Sequence, residues 1–161
     1  MVWKPDVTVA AVVERDGRFL FVEERVSGRV VINQPAGHVE SGETLIEAVS
    51  RETLEETGWS FVPSAVVGVY MWQPENLSRS FLRVAFSGTL EAHDPDRPLD
   101  RGILRIRWLD RDQLLGMQSL LRSPLVPRCV DDYLSGARYP LALLSHLLPN
   151  GAETASIAAS G

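Results

Sequence analysis

The sequence has one cysteine, Cys129, so no internal disulfide can form, which agrees with a reducing compartment. It has no apolar run near the roughly 18 residues that cross a bilayer, and a membrane partner is not expected. Its first residues, MVWKPDVTV, lack a basic segment followed by a long apolar core and a small-residue cleavage site. No export signal is read there, and a cytoplasmic location is the expectation. An excess of positive charge is also missing. With 16 Lys and Arg against 21 Asp and Glu, the net charge is -5, the wrong sign for displacing counterions from a nucleic-acid polymer. A small phosphorylated ligand remains compatible with that charge only if a divalent cation stands between its phosphates and the acids.

What the chain does have is a globular composition. At 161 residues, 45% hydrophobic and 23% charged, it is sized for a single core and is too apolar for disorder. VTVAAVV (7–13) and RFLFVEE (18–24) flank ERDG, whose Asp16-Gly17 is a turn signal, and together they predict a hairpin. Further strands are predicted at 30–32, 64–72, 80–90 and 103–109. A helix is predicted from Thr44 to Thr57: Thr44 with Glu47 forms a capping box, and Gly58 supplies a left-handed stop. A short helix is expected near RDQLLGM, and another from Ser123-Pro124 to Gly136. Residues 1–149 are read as one domain and 150–161, small and polar, as a mobile tail.

The first helix breaks its own pattern. Leu45, Ala48 and Val49 share one stripe, and Glu52, Glu55 and Glu56 continue along it one to two turns later. Carboxylates at this spacing repel one another, and the negative end of the helix dipole adds to the repulsion. One guanidinium, Arg51, is not enough for three converging acids, whereas a hard divalent cation with oxygen ligands is. The competing account is a solvated acidic surface.

Gly37, Glu43 and the run Arg51-Glu52-Thr53-Leu54-Glu55-Glu56-Thr57-Gly58-Trp59 together resemble the signature of the Nudix hydrolases. A match at every fixed position arises by chance on the order of once in 10^8 starting positions. Thr53 is a mild departure, at a loosely hydrophobic position. VTVAAVV, NQPAGH, FLRVAF, RSPLV and SGARYPL extend the likeness to the bacterial NudJ-type phosphatases of that family, over about residues 3 to 145.

The resemblance implies an α+β Nudix fold, a mixed β-sheet sandwiched between helices with a loop–helix–loop catalytic motif. It implies Mg²⁺, with Mn²⁺ as a substitute, bound by Glu52, Glu55, Glu56 and the Gly37 carbonyl. Arg51 would orient a carboxylate, Glu43 would brace the loop or organise water, and Glu52 or a loop acid would be the base. The implied activity is release of phosphate from nucleoside tri- and diphosphates and from hydroxymethylpyrimidine pyrophosphate, by a monomer or homodimer whose partner is a small phosphorylated molecule. Two alternatives stay open. One is a diphosphatase cleaving internally in nucleoside diphosphate derivatives such as ADP-ribose, sugar nucleotides or dinucleotides, and the other is a non-catalytic nucleotide-sensing module.

Several residues are candidates for substrate contact. Trp72 and Phe81 either stack on a base or pack in the core. Arg83 offers a fork for phosphate. Asn33 and Gln34 either bond to substrate or fix the turn before Gly37; His38 suits a loop or phosphate contact, and Arg122 either meets phosphate or caps a neighbouring element. HDPDRPLD (93–100) has a run of acids but fails as a calcium loop, with Leu99 where glycine is needed and Arg105 where glutamate is needed. Asp100 is its candidate for an extra ligand or base.

Overall fold

The computed structural model describes residues 1–149, and the tail expected at 150–161 lies outside the described residues. In chain order the strands and helices are β1 (Asp6–Val12), β2 (Glu14–Arg15), β3 (Arg18–Val26), β4 (Arg29–Asn33), β5 (Ala36–His38), α1 (Leu45–Thr57), β6 (Trp59–Trp72), β7 (Phe81–His93), β8 (Ile103–Leu109), α2 (Arg111–Leu115) and α3 (Leu125–Leu134).

The strands divide between two sheets. One runs β5-β1-β7-β6 and is mixed, since β1 pairs parallel with β7 (Thr8 with Arg83, Val9 with Val84) and antiparallel with β5. The other is antiparallel and centred on β3, which pairs with β2, β4 and β8. β1 is apolar on both faces because both are covered, as parallel pairing requires. Val9 and Ala11 pack with Ala48 and Val49 of α1, while Ala10 and Val12 pack with Val126, Cys129 and Val130 of α3. The expected α+β class, with a mixed sheet between helices, is therefore what is found.

One local expectation is corrected. Residues 7–13 do not form a hairpin with 18–24. The Asp16-Gly17 turn, with φ of 53° and 75°, closes only the short β2–β3 ladder, Glu14 to Phe19 and Arg15 to Arg18. β1 leaves for the other sheet, where the parallel β7 ladder pairs seven of its residues. That long ladder outweighs a two-residue continuation of the turn.

Helix α1 forms as its ends dictate. Thr44 Oγ1 accepts from Glu47 N–H (3.1 Å), Glu47 Oε2 accepts from Thr44 N–H (2.8 Å), and Gly58 sits at φ 73° with its N–H donated to the Leu54 carbonyl. The interior accepts Thr53, 0% exposed, because its hydroxyl donates to the Val49 carbonyl at 2.7 Å, leaving no polar group unpaired.

Candidate active site at the end of helix α1

Three segments meet at the C-terminal half of α1: strand β5, the helix itself and the loop before β8. Glu52 and Glu56 are buried, and Glu55 is part-exposed. The solvated-surface account therefore fails for the first two. Glu56 Oε2 accepts the Ala36 N–H at 3.0 Å, which ties the helix to β5. A Cβ on Gly37 would overlap the Glu52 carboxylate, so only glycine lets the strand come this close. From the loop, the Asp100 N–H donates to the Glu55 carbonyl at 2.9 Å, using one of the four carbonyls that a helix end leaves unpaired.

The outcome is a cluster in which Glu52, Glu55 and Asp100 each bring a carboxylate oxygen within 4.8 Å of the other two. In this grouping Asp100 stands with two of the expected trio, while the third, Glu56, accepts the Ala36 N–H with one of its carboxylate oxygens. Such hard oxygen donors can hold a divalent cation.

Arg51 does more than expected of one guanidinium. Its Nη1 donates to Glu52 (2.9 Å) and Glu55 (3.1 Å), its Nε and Nη2 donate to Glu43 (2.9 and 2.6 Å), and Nη2 also donates to the His38 carbonyl (3.0 Å). Glu43 also accepts the Glu40 N–H at 2.7 Å, bracing the loop before the helix. The hydrogen bonds from Arg51 hold the Glu43 carboxyl below its usual range. Burial pushes Glu52 up, with Arg51 opposing and Glu55 and Asp100 reinforcing the rise. Burial pushes Glu56 up to about 9; the Ala36 N–H opposes this, while the charges of Glu24, Glu52 and Asp100 add to it.

Beside the cluster lies a cavity of about 200 Å³ that reaches Gly37 and His38. Asn33, Trp72, Phe81, Arg83 and Arg122 line it with His38, so the structure brings six candidate contacts to one place. Trp72 and Phe81 stack on each other, with centroids 5.6 Å apart. Gln34 does not reach the cavity: it is 1% exposed, and its side chain bonds to Arg83 and to the Val126 carbonyl. Glu24 also lines the cavity, and sequence reasoning passed it over. The available signal was the doublet Glu23-Glu24 in an apolar strand. Alternation gives the two acids opposite faces: Glu23 pairs with Arg105 and Arg107, and Glu24 faces Arg122 at 3.9 Å.

A family profile for the NUDIX domain matches residues 3–129. The chain belongs to the Nudix family. Among solved structures it is similar to a NUDIX hydrolase from Nitrosomonas europaea, at 48% identity and TM-score 0.88 over 89% of this chain and 98% of that one. It is 44% identical to Phosphatase NudJ of Escherichia coli strain K12, over 88% of this chain and 92% of the relative. A MutT protein from Methanosarcina mazei Go1 shares the fold at 23% identity, with TM-score 0.69 over 86% of this chain and 100% of the other. As a Nudix hydrolase the chain is an enzyme, which sets the sensing alternative aside. Nudix hydrolases act on small phosphorylated substrates and generally use a divalent metal ion. Among the described residues no helix is long and apolar enough to cross a membrane.

Proposed function

We propose that the chain is a magnesium-dependent phosphohydrolase that releases orthophosphate from nucleoside tri- and diphosphates and from hydroxymethylpyrimidine pyrophosphate, with manganese as a substitute ion. The observation that carries the metal requirement is the convergence of Glu52, Glu55 and Asp100 within 4.8 Å, against a glycine strand with no room for a side chain. The oxygen-only donor set fits magnesium better than a soft metal. Glu52, Glu55 and Asp100 would hold the ion, with Glu56 and the Gly37 carbonyl next to them. The ion supplies neutralisation of charge at the phosphate oxygens and a template for the attacking water.

The chain's own groups do the rest. Arg51 holds Glu52 and Glu55 in one orientation, so the site needs little reorganisation. Glu52, its carboxyl raised by burial, is the proposed acceptor of the proton from attacking water. Release of terminal phosphate is supported by the likeness to the E. coli phosphatase over most of both chains.

The test is a phosphate-release screen across nucleotides and hydroxymethylpyrimidine pyrophosphate, with magnesium and with chelator. Orthophosphate as the sole small product supports the reading. Nucleoside monophosphate with a phosphorylated partner would instead indicate internal cleavage, and turnover that survives chelation would overturn the metal requirement.

A further inference from the structure

The arginines around the site are unequally committed. Arg51 donates to Glu43, Glu52, Glu55 and the His38 carbonyl, and the buried Arg83 donates to Asn33 and Gln34 from its terminal nitrogens. Arg122 stands 3.9 Å from Glu24. Arg79, in the loop between β6 and β7, differs from all three. Its side chain is 56% exposed; Nε donates to Asp6 and Nη2 to His38 Nε2 (3.3 Å), while Nη1 has no partner among the described residues.

Strand register sets where this guanidinium lies. Thr8 pairs with both His38 and Arg83, and Asp6, two places earlier in β1, pairs with Phe81. Positions two apart share a face, so Asp6 stands on the same side of the sheet as Thr8, His38 and Phe81, all of which line the cavity. Arg79 lies over that side, with Cζ 5.3 Å from the centre of the Phe81 ring. Its neighbour His38 directly follows Gly37, the glycine that abuts the Glu52 carboxylate. The loop is tied at its base: Asp6 N–H donates to the Ser80 carbonyl (2.8 Å), Ser80 Oγ to Gln73 Oε1 (3.2 Å) and Gln73 Nε2 to the Leu77 carbonyl (3.3 Å). The guanidinium is therefore aimed before any ligand arrives, which lowers the cost of binding one.

We propose that Arg79 is a substrate contact that holds the phosphoryl group next to the one under attack, the group that stays on the departing nucleotide. The inference rests on the proposed release of orthophosphate, which puts the attacked phosphorus at the acid cluster. A phosphate chain that leaves the cluster past Gly37 and His38 meets Arg79 next. The second phosphoryl group carries its own negative charge, and a guanidinium edge is the donor best matched to it. Asp6 and His38 steady the other nitrogens of that guanidinium and leave Nη1 open.

Calorimetric titration of the magnesium-loaded protein tests this with AMP and CMP, each set against its nucleoside. A monophosphate carries only the phosphoryl group that Arg79 is proposed to hold. In wild type at least one monophosphate binds about tenfold or more tightly than its nucleoside. Arg79→Met keeps the apolar stem over Phe81 and removes the donors, so that advantage shrinks to about threefold or less while the nucleoside's own affinity moves by less than about twofold. In phosphate release from ADP or CDP, the same variant raises KM about tenfold and leaves kcat within about twofold. If Arg79→Met does not fold, Arg79→Gln decides by the same ratio. A loop-packing role would weaken nucleoside and monophosphate alike, and that outcome overturns the inference. An advantage absent from wild type, an advantage unchanged in the variant, or an unchanged KM overturns it as well. Orthophosphate release by wild type with the ratio unchanged in the variant sinks this inference alone, whereas a ratio that falls in a protein releasing no orthophosphate sinks the proposed activity alone.

Discussion

Replacing Glu56 by glutamine should stabilise the metal-free protein while crippling it. Glu56 is 7% exposed, and its carboxyl keeps a proton up to about pH 9 in the fold, against an ordinary value of 4.5. Between these values the unfolded chain binds fewer protons than the native one. Stability therefore falls as pH rises through that window, by at most about 1.4 kcal/mol per pH unit from this group. From 4.5 to 7 the loss reaches about 3 kcal/mol. A glutamine keeps the oxygen that accepts the Ala36 N–H, and its NH₂ turns towards the neighbouring acids, so no buried donor is stranded. Urea unfolding in chelator at pH 5, 7 and 8.5 is the assay. The variant should exceed wild type by about 3 kcal/mol at pH 7, less at pH 5 and more at pH 8.5, with a shallower overall slope. Magnesium should then raise the midpoint of wild type more than that of the variant, since an ion that binds only the native state stabilises it by mass action. Parallel pH slopes in the two proteins, or a variant weaker than wild type at pH 7, would refute the reasoning.

Other perturbations separate the parts of the site. Asp100→Asn removes one charge from the cluster and should raise the magnesium concentration for half-maximal activity by about tenfold or more, read from a metal titration. Gly37→Ala drives a methyl into the Glu52 carboxylate and should lower kcat/KM by about a hundredfold, with far-ultraviolet circular dichroism unchanged. Thr44→Ala deletes the helix cap at the opposite end of α1 and should cost about 1 kcal/mol in urea unfolding while leaving the metal titration midpoint where it was.

Helix α1 was legible to within one residue because its signals are local: the capping box, the Gly58 stop and the stripe of apolar positions all act within a few residues. Strand β8, Ile103–Leu109, was legible for the same reason. The parallel pairing of β1 with β7 was not legible, since it joins segments some 75 positions apart and leaves no mark on either one alone. Strand β5 is three residues long and is made by its partners, not by propensity, so AGH reads as loop. In the site, spacing exposed Glu52, Glu55 and Glu56, but their division of labour depends on where β5 and the Asp100 loop arrive. Glu24 stayed hidden because a second acid in a strand acquires meaning only once a cavity opens over it.

The loop that carries Asp100 is fastened twice to the same helix end: Asp94 N–H donates to the Gly58 carbonyl, and Asp100 N–H to the Glu55 carbonyl, each at 2.9 Å. The intervening residues 95–99 are thereby relieved of any duty to aim the acid. Insertions or deletions among them would change the rim of the site without disturbing its reactive centre, which makes this short stretch the natural place for the scaffold to acquire new substrate preferences.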